Sequence, residues 1–175
     1  LIQQKYRSAT FKKGESEDHF YAVAKVFHFL EQNKKWPRWL IDIGCPVTYP
    51  EEILKQLPKS RVHDGHTFDL GIYEPVMDTD NIMIVNIKPL AFIEINGNVG
   101  YKYLDGGGRV QKANPTKHSK ELQKRNDKIN KNYCENAGII YKTLLKEEIN
   151  GDIKDKDIVK NTTQYLQREL LEFIR

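Results

Sequence analysis

The chain is poor in the residues from which covalent or metal-thiolate frameworks are built. Its 175 residues contain two cysteines, Cys45 and Cys134, far apart and outside any CxxC pair. Neither a disulfide scaffold nor a zinc-thiolate site is expected, and an intracellular (cytoplasmic) setting is the default expectation. No apolar run approaches the roughly 20 residues that a membrane-spanning helix needs, so no membrane partner is expected. The opening LIQQKYRSATFKK lacks the apolar core of a signal peptide. Without such a signal, the sequon at Asn161-Thr162-Thr163 carries no weight. There is no Walker loop, no dinucleotide fingerprint and no Ser-His-Asp arrangement, which sets aside three large enzyme classes. Internal repeats and long linkers are absent too.

What is present is enough for one folded domain. Hydrophobic residues at 39% and charged residues at 30% argue against wholesale disorder, and the length requires no second core. Charge is unevenly placed. Arg109 to Lys131 holds eight Lys/Arg against Glu121 and Asp127, whereas residues 40–100 hold nine Asp/Glu against four Lys/Arg. Four more basic residues and no acid lie in the first thirteen. A basic arm, an acidic middle and a basic flank suit a protein that grips a polyanion around a carboxylate cluster. Solvated helix faces give the same charge runs, so charge alone does not decide.

Periodicity orders the elements. A helix is predicted within 14–33, with acids in its first turn and Phe20, Val23, Phe27 and Leu30 at helical spacing, ended by Trp36-Pro37. WLIDIGCPVTY reads as a strand or an irregular apolar segment, and EEILKQL as a short helix closed by Pro58. HTFDLGIY, NIMIVNI and LAFIEIN read as three strands, divided by the MDTDN turn, with Asp78 and Asp80, and by a bend at Pro89. DGGGRVQKANPTK is a loop or loose hairpin. A helix follows, with Leu122, Ile129 and Tyr133 on one stripe and Gly138 as its stop. IIYKTLL is expected to be a short buried strand, and a terminal amphipathic helix closes the chain. The sum is α-βββ-α-β-α, a single mixed α/β domain over 1–175, with a core at about 14–147, a basic arm at 1–13 and a terminal helix in 152–175. Trp36, Trp39, Tyr101 and Tyr103 are read as core aromatics rather than base-stacking ones.

Two acids stand out because they interrupt apolar strands. In AFIEIN, Glu94 and Asn96 share one strand face with Phe92, while Ile93 and Ile95 face the core. A carboxylate buried there is costly without a partner, unless the strand is an edge with a solvent face. Asp69, between Phe68 and Leu70, has the same character 25 residues earlier. Carboxylates on neighbouring strands are the usual device for holding Mg²⁺, a hard cation that prefers oxygen ligands.

The run Gly14-Glu15-Ser16-Glu17-Asp18-His19 opening a helix is followed by Phe68-Asp69-Leu70 and then by Ile93-Glu94-Ile95-Asn96-Gly97. Asp127-Lys128-Ile129-Asn130-Lys131-Asn132-Tyr133-Cys134 comes before Gly138-Ile139-Ile140. In that order these motifs resemble the PD-(D/E)XK, or restriction-endonuclease-like, nuclease superfamily, closest to small phage, viral or mobile-element endonucleases. The resemblance implies an α-βββ-α-β core with a C-terminal helix and a Mg²⁺- or Mn²⁺-dependent DNA endonuclease. A viral origin would make the setting the host cell. Asp69 and Glu94 would be the metal ligands, and the Ile95 carbonyl a candidate third. Glu15, rather than Glu17, would be the helix carboxylate; it shares a helix face with His19, read as structural or DNA-facing. The family's lysine position holds Asn96, which can hydrogen-bond a water or phosphate oxygen but carries no charge. Lys128 and Lys131 on the following helix, or Lys102, are the candidates to supply the cation. Arg109, Lys112, Lys117, Lys120, Lys124 and Arg125 would hold the phosphate backbone, with a homodimer available to cut both strands. Two rival readings stand beside this one. The first is a nuclease-like DNA-binding module that has lost catalysis, favoured by Asn96. The second is a small α/β interaction protein with merely exposed strand acids.

Overall fold

A computed structural model describes residues 17–57, 64–96, 102–104, 110–112, 117–150 and 158–175. The chain order is α1 (Glu17–Asn33), β1 (Leu40–Thr48), α2 (Glu51–Leu54), β2 (Gly65–Met77), β3 (Ile84–Asn96), β4 (Lys102–Leu104) and β5 (Val110–Lys112). These are followed by α3 (Lys117–Asn136), β6 (Ile140–Leu145), α4 (Lys146–Asn150) and α5 (Ile158–Glu169). Four strands form one sheet in the order β1-β2-β3-β6, and β4 and β5 pair as a separate hairpin. β1, β2 and β3 are antiparallel neighbours, while β6 joins β3 in parallel after the crossover through α3. The expected α/β class holds at this level.

Helices cover both faces of the sheet, which is why its central strands read as apolar runs. On one face Ala22, Val23, Val26 and Leu30 of α1 meet Ile41, Leu70, Ile72, Ala91, Ile93 and Ile95, together with Leu166 and Leu170 of the C-terminal segment. That segment is tied back to the end of α1, since Lys35 donates its N–H to the Phe173 carbonyl and Arg175 donates its own to the Asn33 carbonyl. On the opposite face Cys45, Phe68, Phe92, Cys134 and Ile139 pack under α3, with the Phe68 and Phe92 rings stacked 4.4 Å apart. Gly138 ends α3 with φ of 69°, a left-handed C-terminal stop that glycine adopts without strain.

Three expectations are corrected. NIMIVNI and LAFIEIN are one strand, not two: β3 runs through Pro89, and the third antiparallel strand is the WLIDIGCPVTY segment, β1. Pro89 pairs with Tyr73 next to a register shift, and β6 does not begin alongside β3 until Ala91. A bulge with one open edge tolerates a missing N–H, so the proline leaves the strand unbroken. Trp36 is 60% exposed and is not a core residue, whereas Trp39 packs edge-on against Phe173 as expected. β6 is an edge strand in which Leu144 alone is fully buried, less enclosed than its sequence implies. Asp78 is a turn residue as anticipated, its carboxylate accepting the N–H groups of Ile82 and Met83.

Candidate metal and nuclease site

The register between β2 and β3 pairs Leu70 with Ile93 and ends there. One step further along, Asp69 and Glu94 face each other where the two strands part. Asp69 Oδ2 accepts the Ile95 N–H at 2.7 Å, so a side-chain carboxylate replaces a lost ladder bond. β1 is irregular at the same level. Ile43 pairs with Leu70 and Cys45 with Phe68, while Gly44 between them sits at φ 68°. Phe68 and Leu70, two residues apart, belong to clusters on opposite faces of the sheet, as do Ile43 and Cys45. A regular strand keeps such residues on one face. Gly44 and Asp69 therefore mark a shared switch of face, and Asp69 is set at the break rather than in either apolar layer.

Each carboxylate also has a histidine. His19, in the first turns of α1, bonds Asp69 Oδ1 through Nε2 at 2.9 Å. His66, near the start of β2, bonds Glu94 Oε1 through Nε2 and packs edge-on against Phe68. Glu94 is only 8% exposed, and β3 is a central strand, so the alternative of a solvent-facing edge does not apply. Burial pushes the Glu94 carboxyl up from 4.5 to about 7; the His66 bond opposes this and the charge of Asp69 adds to it. Burial likewise raises Asp127 on α3, against the opposing influence of His66. His66 is thus flanked by two acids from different elements.

The α3 face turned to the sheet carries Asp127, Asn130 and Cys134, with Asn130 buried and accepting a hydrogen bond from the Tyr49 hydroxyl. Lys128 and Lys131 are exposed beside it, and Lys131 pairs with Glu135 at 3.7 Å. The ion pairs described for Asp69 and Glu94 are both with histidines. Tyr141, on β6 near the same acids, has a buried hydroxyl without a hydrogen-bond partner among the described residues.

As to the other expected site residues, Asn96 is half-buried at the end of β3, opposite Leu145 of β6. Ile95 is buried and engages Asp69 through its N–H. Lys124 and Arg125 are exposed on α3, with Arg125 donating to the Gln56 carbonyl at 2.8 Å. Glu15, Arg109 and Tyr101 lie outside the described residues, as do the side chains of Glu17, Lys102, Tyr103, Lys112, Lys117 and Lys120. His66 was missed in the sequence. Its signal was alternation, since it sits two residues before Phe68 and three before Asp69 on the same strand.

Asp69 and Glu94 are the right donors for a hard divalent cation, being two oxygen-bearing side chains pressed together at a break in the sheet. Among the described residues no group of three or more His, Cys, Asp or Glu is arranged to hold a metal ion. The Ile95 carbonyl remains the candidate third donor, and the expected helix carboxylate Glu15 lies outside the described residues. No helix among the described residues is long and apolar enough to cross a membrane. No protein-family model, curated protein or solved structure matches the chain.

Proposed function

We propose that the chain is a divalent-metal-dependent DNA endonuclease of the restriction-endonuclease-like type, hydrolysing phosphodiester bonds at Asp69 and Glu94. The observation that supports this most is the meeting of these two carboxylates where β2 and β3 part. One of them is nearly buried, and burial together with the charge of Asp69 pushes its carboxyl up to about 7 against the opposing His66 bond. Two carboxylates at close quarters repel unless one is protonated, a basic group pairs with them or a cation sits between them, and the last is the arrangement a metal site uses. Asp69 and Glu94 would hold Mg²⁺ or Mn²⁺, which when bound supplies an activated water and charge neutralisation on the phosphoryl group.

The chain's own groups have narrower roles. The Ile95 N–H fixes the rotamer of Asp69, and His19 holds its other oxygen. His66 orients Glu94. Asn96, at the end of the same strand, would hydrogen-bond a water or a phosphate oxygen. Exposed Lys124 and Arg125, with the basic residues around them, would take the phosphate backbone, making affinity fall steeply with salt. Cutting both strands would call for two copies.

Cleavage of labelled duplex, branched and single-stranded DNA with Mg²⁺, Mn²⁺ or EDTA, beside Glu94→Ala and Asp69→Asn, tests this reading. Metal-dependent cutting that disappears in both variants is expected. Wild-type rates in both would sink it. A second reading, a nuclease-like DNA-binding module without turnover, is favoured by Asn96 at the lysine position and by the exposed settings of Lys128 and Lys131. Salt-sensitive binding with no cutting in any metal would select it.

A further inference from the structure

β2 and β3 outrun their neighbours. β1 pairs with β2 no further than Tyr73, and β6 pairs with β3 only from Ala91 onward. From Glu74 to Lys88 the two strands form a free ribbon, closed by a turn in which Asn81 takes φ of 57°. The ribbon is amphipathic. Cross-strand partners share a face, so Pro75 lies with Ile87 and Met77 with Ile84, while Glu74 with Lys88 and Val76 with Asn86 line the other side. At the tip and on the apolar side, Ile82, Met83, Ile84, Val85 and Ile87 are 47–76% exposed. Together they leave on the order of 500 Å² of apolar surface open, near the upper end of what a monomer shows. A two-stranded ribbon in water is marginal by itself and gains stability when such a face is covered.

The apolar face runs directly into a cleft of about 670 Å³ at the ribbon's base, lined among others by Phe27, Trp39, Leu40, Tyr73 and Ile87. Ile87 belongs to both. Only three residues separate it from Ile84, about 10 Å of strand. An apolar projection and an apolar recess thus sit next to each other on one surface, the arrangement that a two-fold interface makes self-complementary.

We propose that this ribbon is the contact surface for a second copy of the chain. Two ribbons pack through the Pro75, Met77, Ile84 and Ile87 face, antiparallel about a two-fold axis, and each tip reaches the other copy's cleft. Burying both apolar faces covers on the order of 1,000 Å² before the clefts are counted, the size at which specific interfaces begin. The polar side, with Glu74 opposite Lys88, stays in water. Asp78 and Asp80 at the tip disfavour an anionic lipid surface or a nucleic acid as the occupant instead. The inference stands on the apolar ribbon and does not depend on the metal reading.

Sedimentation velocity on the full chain from about 1 to 100 μM reads the association directly. The wild type is expected to move from monomer to dimer within that range. Ile84→Lys is expected to weaken association at least tenfold with an unchanged circular dichroism spectrum. Asn86→Lys, on the polar side, is expected to leave it intact. A second pair of substitutions, Met83→Cys with Phe27→Cys, should give disulfide-linked dimers on mild oxidation, because the native thiols are buried. A wild type that stays monomeric throughout would overturn the proposal and leave the ribbon to a different partner. So would Ile84→Lys associating like the wild type, or Asn86→Lys dissociating as strongly as Ile84→Lys.

Discussion

Replacing Glu94 by glutamine should make the protein more stable at alkaline pH than the wild type, by an amount that follows from the site's geometry. Burial raises the carboxyl from 4.5 to about 7, with the His66 bond opposing and Asp69 adding. Because the folded value lies above the unfolded one, the protonated form is favoured by folding. The associated stability is fully present below about pH 4.5 and is lost as pH rises through 7. At about 1.4 kcal/mol for each pH unit of displacement, the wild type should lose roughly 2–3 kcal/mol between pH 5 and pH 8 through this group. Glutamine keeps the shape and a hydrogen bond for His66 but has no charge to strand. Urea unfolding of both proteins at pH 5, 6, 7 and 8, in EDTA, reads the effect of Glu94 together with the His66 and Asp69 it contacts, since titrating groups away from them largely cancel in the difference. The two stabilities should diverge steadily with pH, in favour of glutamine, and level off above pH 8. Curves that stay parallel within about 0.5 kcal/mol would refute the claim that Glu94 is ionised at a cost. Saturating Mg²⁺ at pH 8 adds a second arm: it should recover stability in the wild type and not in Glu94→Gln.

Other consequences concern the layer beneath the site. Phe68→Ala removes a fully buried ring stacked on Phe92 and touching His66, so thermal or urea unfolding should show a loss of about 3–5 kcal/mol. Burial pushes the Cys45 thiol up to about 11 and that of Cys134 to about 12. Both should therefore resist an aromatic disulfide reagent at pH 8 in the native protein and react fully in denaturant; rapid labelling of the native state would contradict their placement.

Much of the architecture was legible because it rests on periodicity. The stripe of α1, read at Phe20, Val23, Phe27 and Leu30, holds at Val23 and Leu30, with Ala22 and Val26 buried beside them and Phe27 partly buried; the glycine stop at Gly138 and the apolar run of β3 likewise follow recognisable local patterns. Pro89 misled because the propensity of a single residue was weighed against a strand whose neighbours were unknown. Its tolerance depends on β6 starting two residues later, a tertiary fact. Trp36 misled for a similar reason: nothing local distinguishes it from Trp39, which lies three residues on and packs against Phe173. Asp69 and Glu94 could be picked out because an acid inside an apolar strand is costly to bury. Their pairing with His19 and His66 could not, since His19 lies 50 residues from Asp69 and His66 lies 28 from Glu94.

The least legible feature is the one that makes the site. Phe68 and Leu70 follow the alternation of an ordinary strand, and so do Ile43 and Cys45, yet each pair is split between the two faces of the sheet. A change of face needs a residue that accepts left-handed backbone and another that satisfies the N–H left over where the ladder stops. Gly44 supplies the first, and Asp69, bonded to the Ile95 N–H, the second. Asp69 is thereby tied to the sheet's geometry as well as to any chemistry it performs. Removing its carboxylate should cost stability, because a largely buried N–H loses its partner, typically about 1–3 kcal/mol. Asp69→Asn, which keeps an acceptor oxygen for Ile95 while discarding the charge, separates the two roles in a way that Asp69→Ala cannot.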